Sequence, residues 1–258
     1  MADITVRNQG EVDDSGKNNW RGDQVSVAQG GQSVYYTSTI QLAELGERKV
    51  LGDRVFRYAK AGATIQAGEM QQGNAGILLT ATGGAADPVG GKKMTFYFAS
   101  STAANAFAEG HVFCQSGTAA NMGYMYRIKS HPVATATSTT ALTLYDPLKL
   151  AVNTADSWAV IANPYNGVIQ NTAGASIPVG VAPVSCTTND YFWLQTWGPC
   201  AVLGSSAAIG QVVYAGATGG IVSVVGTGTV PIPKAPVGFA MYSLTASHNG
   251  MVFLTIAP

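Results

Sequence analysis

The chain has 258 residues and a formal net charge of zero from 14 basic and 14 acidic side chains. Only 11% of its residues are charged, against about 25% in ordinary soluble domains. That length can bury a full apolar core in one large or two modest domains, and the sparse, balanced charge excludes the basic field of a nucleic-acid-binding surface. A chain this poor in charge either solvates its surface with Thr, Ser and Asn or covers it with neighbours, and both suit a subunit of an assembly.

Charge is also unevenly placed. Residues 1 to 70 hold 17 of the 28 charges, whereas 150 to 258 hold only Asp156, Asp190 and Lys234. The chain opens on Met1-Ala2-Asp3-Ile4-Thr5 without a basic segment followed by an apolar one, so no secretory signal is expected. No stretch has the roughly 20 uninterrupted apolar residues of a membrane-spanning helix, so no membrane partner is expected. The segment 1–38 is dense in turn formers and amides, as in Asn8-Gln9-Gly10, Asp13-Asp14-Ser15-Gly16-Lys17 and Gln29-Gly30-Gly31-Gln32. Such a segment reads as an extended arm that gains order by lying on a partner.

From Thr39 to Ala61 two apolar stretches flank a turn near Gly52-Asp53, and Arg54 to Lys60 alternates as a half-buried strand does, so a hairpin is expected here. A short helix over Ile40 to Val50 is the competing reading. Within 64 to 76, Glu69-Met70-Gln71-Gln72 is the best candidate for a brief helix. Strand signals dominate thereafter: Lys93 to Phe98, Gly123 to Ile128, Thr140 to Tyr145, Tyr191 to Thr196 and Met251 to Ile256 are β-branched or aromatic and bounded by turn formers. The expected fold class is mainly β, a sandwich or barrel-like β domain over 39–258 behind an extended N-terminal arm (1–38), with little helix and about twice as much strand as helix. If the β domain divides, it does so near 120–175.

Chemistry is thinly supplied. Only His111, His131 and His248 could act as imidazole bases, none in a nucleophile-elbow pattern. After residue 110 the acids are Asp146, Asp156 and Asp190 alone, and Asp146 and Asp190 read as turn residues rather than a glycosidase pair. No metal-ligand spacing occurs, and Gly226-Thr227-Gly228-Thr229 lacks the Lys of a phosphate loop. No catalytic residue, metal or cofactor is therefore assigned, and the chain is expected not to be an enzyme. Cys114, Cys186 and Cys200 read as reduced core residues, with a Cys186–Cys200 bridge as the alternative. Arg21-Gly22-Asp23 spells an adhesion tripeptide best explained by chance. Trp193 and Trp197, with Tyr191 and Phe192, could form a stacking platform for a sugar; core or subunit contact is the stronger reading.

The stretches Leu51 to Thr64, Gly123 to Pro132, Leu144 to Leu148 and Asn163 to Val168 resemble segments of virion structural proteins of tailed phages of aquatic bacteria. Pro178 to Pro183, Tyr191 to Val202 and Gly210-Gln211 are similar in rhythm to capsid decoration, or cement, proteins. The resemblance spans residues 45 to 258. It implies a β-rich subunit, often a homotrimer, that is made in the host bacterial cytoplasm, binds the major capsid protein lattice on the outer capsid surface and stabilises the shell. The chain is much longer than the smallest decoration proteins, and a host-glycan-binding adhesin or head-fibre module is the alternative. The interface candidates are Val25, Val27, Tyr35 and Tyr36 at the arm, and Tyr191, Trp193 and Trp197 in the aromatic segment. A large exposed apolar patch is expected from the C-terminal part of the chain, 149–258.

Overall fold

The computed structural model describes residues 32–73, 78–83, 86–98, 100–117, 122–136, 138–172, 176–204, 206–216, 221–223, 236–245 and 247–258. Sixteen strands lie among them: β1 (Arg48–Leu51), β2 (Arg54–Ala61), β3 (Met70–Gln72), β4 (Leu78–Gly83), β5 (Lys93–Phe98), β6 (His111–Ser116), β7 (Met125–Ser130), β8 (Thr139–Leu144), β9 (Ser157–Ile161), β10 (Asn166–Gln170), β11 (Pro178–Val181), β12 (Tyr191–Leu203), β13 (Val212–Ala215), β14 (Ile221–Ser223), β15 (Pro236–Ala240) and β16 (Asn249–Thr255). The fold is mainly β, and no helix occurs among the described residues. The expected brief helix at Glu69 to Gln72 is instead β3, because the backbone of Met70 to Gln72 is claimed by β10 on one edge and β11 on the other. Ile40 to Val50 is not a helix either; it ends in β1, which turns at Gly52-Asp53 into β2, with Leu51 opposite Arg54.

The described residues form two compact units, those within 76–163 and, around that insertion, those within 32–75 and 164–258. The inserted unit is a closed antiparallel barrel of six strands in the order β4-β5-β8-β7-β6-β9. Its core follows from period-2 alternation. Met94, Phe96 and Phe98 of β5, Leu142 and Leu144 of β8, Tyr126 and Ile128 of β7, Val112 of β6 and Trp158 of β9 all point inward into one cluster.

In the other unit, β2, β10, β3, β11 and β12 close a five-stranded ring, since β12 also pairs with β2. A ring of five strands is narrow, and its filling is accordingly small: Ala59, Ala61, Val168, Val179 and Ala182 surround Ile65, Phe192 and Leu194. The same closeness fixes Gly180, at φ +150, where a Cβ would stand 2.8 Å from the Gln195 carbonyl oxygen. Beyond the ring, β12 runs on into a second stretch of sheet ordered β12-β16-β15-β13-β14.

One local device recurs at strand entries. A bridge residue is followed by a tight turn, and the last side chain before the strand accepts a hydrogen bond from the backbone N–H three residues earlier. Gln66 N–H donates to Glu69, Asn153 N–H to Asp156, Thr187 N–H to Asp190 and Ala208 N–H to Gln211. The bridge residues of two such corners, Ile65 and Cys186, pair with each other. Asp190 thus serves as the turn residue its sequence suggests.

Candidate functional site

Sequence reasoning directs attention to the aromatic segment of β12, whose even-numbered and odd-numbered residues face opposite ways. Phe192 and Leu194 fill the ring. Trp193 faces the other way, into a cluster with Val34, Leu45, Phe56 and Tyr58. It is only 3% exposed, its ring meets Tyr58 edge-on at 4.9 Å, and Lys49 Nζ sits 5.0 Å above it. Tyr191 is half-buried, stacked on Tyr58 at 6.0 Å with Lys60 Nζ 5.8 Å from its ring. Trp193 therefore cannot offer a face to a sugar or to a neighbouring subunit, and its burial agrees with the core reading that the sequence favours over a stacking platform.

The roof over Trp193 is the segment from Gln32 to Leu45, pinned by one amide. Gln32 Nε2 donates to the Tyr191 carbonyl at 2.8 Å and to the Tyr36 carbonyl. Gln32 Oε1 accepts the Tyr58 hydroxyl at 2.9 Å. Its backbone carbonyl accepts both Lys49 Nζ at 2.7 Å and Trp193 Nε1–H at 2.9 Å. Ser38 then bridges to Tyr191 through a pair of backbone hydrogen bonds. Residues 32–38, which composition groups with the arm, are thus fastened to the sheet. Val25 and Val27 lie outside the described residues, as does Arg21-Gly22-Asp23. Tyr35 and Tyr36 are exposed, Tyr36 by 70%, and the Tyr35 hydroxyl accepts Arg54 Nη1–H at 2.9 Å.

Trp197 belongs elsewhere. A register shift between Gln195 and Trp197 interrupts pairing with β2, Gln195 Nε2 spans the irregularity to the carbonyls of Trp197 and Pro199, and β12 passes to its partner β16. Trp197 packs edge-on against Phe253 at 5.8 Å. From here the inward residues, Cys200 and Val202 with Val213, Ala215, Val237, Ala240, Val252 and Leu254, form a core. The outward residues are also apolar. Pro199 stands opposite Phe253, Ala201 opposite Met251, and Phe253 opposite Phe239. Val212 faces Phe239 in turn. Phe239, Met241, Tyr242 and Met251 are exposed. The apolar patch expected from the C-terminal part of the chain is this sheet face; the sequence reading missed Phe239, Met251 and Phe253, although apolar residues at both parities of a strand were there as the signal.

No catalytic constellation assembles among the described residues. His131 is buried with Nδ1–H donating to the Pro132 carbonyl at 2.7 Å and Nε2 accepting Phe107 N–H at 3.0 Å, so both ring nitrogens serve the fold. Burial pushes its pKa down, opposed by the Pro132 hydrogen bond. Burial likewise lowers that of His111, helped by the Arg127 charge, its cross-strand partner. Among the described residues no group of three His, Cys, Asp or Glu side chains could hold a metal ion. The three cysteines are free and buried, with burial pushing Cys186 and Cys200 up to about 12.

What fold and surfaces define is a mainly β chain of two units, with residues 32–45 fastened to the sheet and a bare apolar sheet face. Compared with protein-family models, curated proteins and solved structures, the chain finds no match in any of the three.

Proposed function

We propose that the chain is a non-enzymatic virion structural subunit, a capsid decoration or cement protein. In this reading it binds the major capsid protein lattice on the outer surface of a phage head and stabilises the shell, acting as a homo-oligomer with a trimer favoured. The observation that supports it most is the Gln32 clasp. Gln32 joins the turn-rich, charge-rich residues 1–31 to the sheet through hydrogen bonds to Tyr191, Tyr58, Lys49 and Trp193. A lead-in held at a rigid point can pull on a neighbour without unravelling its own unit, which is what a clamp on a lattice requires. Many such weak sites repeated on a shell give lasting attachment by avidity, and strand addition to a neighbour's sheet edge is the simplest way for the lead-in to engage.

The test is deletion of residues 1–31, stopping short of Gln32 and Val34 because both are buried in the folded unit. The truncated protein is expected to melt as the full chain does and to lose co-sedimentation with expanded empty capsids. Attachment at full-length affinity would overturn the clamp.

A further inference from the structure

In an antiparallel sheet with one face packed on a core, alternation ordinarily hands the other face to polar residues. The outer face of β12, β16, β15 and β13 breaks that rule. Phe239 and Met251 on that face, with Met241 and Tyr242 just beyond the end of β15, are between 40% and 48% exposed. At about 200 Å² for each full side chain of this size they leave on the order of 350 Å² of mostly apolar surface in water. The half-buried Trp197 and Phe253, packed edge to face, extend the patch along β12 and β16. A patch of about this extent matches the largest apolar patch of a typical monomer, which is often functional, and it provides the centre of an interface of about 800 Å² per partner, the usual size for stable association.

We propose that this face is where copies of the chain meet, the β12-β16-β15-β13 face of one subunit packing on the same face of a second copy, a two-fold contact that makes a dimer, rather than the trimer the resemblance favours, the closed unit of assembly. Charge selects the occupant. Residues 191–258 contain a single charged residue, Lys234, so a charged partner would bury its ions against a sheet that cannot answer them. A second copy brings a neutral face of equal size, and a self-complementary patch closes by point symmetry. The lead-in is a poor cover, with eight charged residues between Asp3 and Asp23. Two sheet faces in contact pack about 10 Å apart with interdigitated side chains, the geometry of a sandwich core.

This deepens the assembly reading and rests on it, but its test runs without particles, so failed self-association is scored apart from failed attachment. The full chain is measured by sedimentation velocity and native mass spectrometry from about 1 to about 50 μM, beside a Phe239→Asp, Met251→Glu double variant. Tyr97→Asp, at an exposed position of the inserted barrel, is the control. A closed dimer is expected for the wild type and the control, and at least ~100-fold weaker association for the double variant with its circular dichroism unchanged. If the charged pair does not fold, Phe239→Gln, Met251→Gln replaces it under the same criterion. A wild-type monomer at the highest concentration, or a folded variant that associates as the wild type does, overturns the proposal. So does flotation of the monomer with phosphatidylcholine vesicles that the variant loses, which would assign the face to lipid.

Discussion

Trp193→Ala separates a core tryptophan from a ligand platform. The substitution removes a side chain 3% exposed that meets Tyr58 at 4.9 Å and donates to the Gln32 carbonyl at 2.9 Å. Truncating a core aromatic to alanine costs about 3–5 kcal/mol, the hydrogen bond included. The Gln32 carbonyl keeps Lys49 Nζ at 2.7 Å, so no buried acceptor is orphaned to raise the cost further. In a protein of this size about 1 kcal/mol moves Tm by 2–4 °C, so the transition of this unit should fall by roughly 10 °C or more. Trp197→Ala, at a half-buried position against Phe253, should cost about 1 kcal/mol. Urea unfolding followed by fluorescence, with calorimetry alongside, measures both. An unchanged midpoint for Trp193→Ala, or a larger loss for Trp197→Ala, would refute the assignment of Trp193 to the core.

Acid should destabilise the inserted barrel through His131. Its pKa is held below the ordinary 6.5 in the folded state, so the unfolded chain takes the proton first; the contribution is complete above about pH 6.5 and is lost as pH falls below it, by at most ~1.4 kcal/mol per pH unit. A melting temperature flat from pH 7.5 to about 5 would contradict this. All three thiols should resist a disulfide-exchange reagent at pH 8 in the native state and react together once unfolded, because burial lifts Cys186 and Cys200 to about 12; rapid native labelling of either would be at odds with the packing. Residues 76–163 should fold alone as a barrel, and replacing them with a short loop should leave the other unit folded, because a methyl at Gly73 would lie 3.0 Å from the Pro164 carbonyl oxygen, so the two ends of the insertion already meet. Loss of cooperative melting in the loop variant would tell against independence of the units.

Local signals made the regular parts of the fold legible. Lys93 to Phe98 alternates cleanly and forms β5 with those limits, and the Gly52-Asp53 turn yields its hairpin. Met70 to Gln72 misled because Glu, Met and Gln favour helices locally, whereas its neighbours in the ring, β10 and β11, lie far away in the chain. Sequence spacing places Trp193 and Trp197 on one face; the register shift and the change of partner strand that part them are tertiary. Buried Gln32, in a stretch that looks like polar lead-in, has no sequence signature at all, since its role is set by Tyr58, Lys49, Tyr191 and Trp193. The strand-entry corners were readable as an apolar residue followed four places later by Glu, Asp or Gln, but only to a search for internal repeats.

Nesting one unit inside the other imposes an order on synthesis. The barrel strands β4 to β9 find all their partners within 76–163, so that unit can close while the ribosome is still translating. Strand β2 has emerged earlier with its hairpin partner β1, yet its other partners, β10 and β12, follow only after that insertion, a wait of about 5 to 20 s at cellular elongation rates. During that interval β2 is an open edge, the kind of surface that recruits other nascent chains. Arg54, Arg57 and Lys60 punctuate it, three of the few cations in the chain. The crowding of charge towards the start of the chain thereby guards the segment that waits longest for its partners.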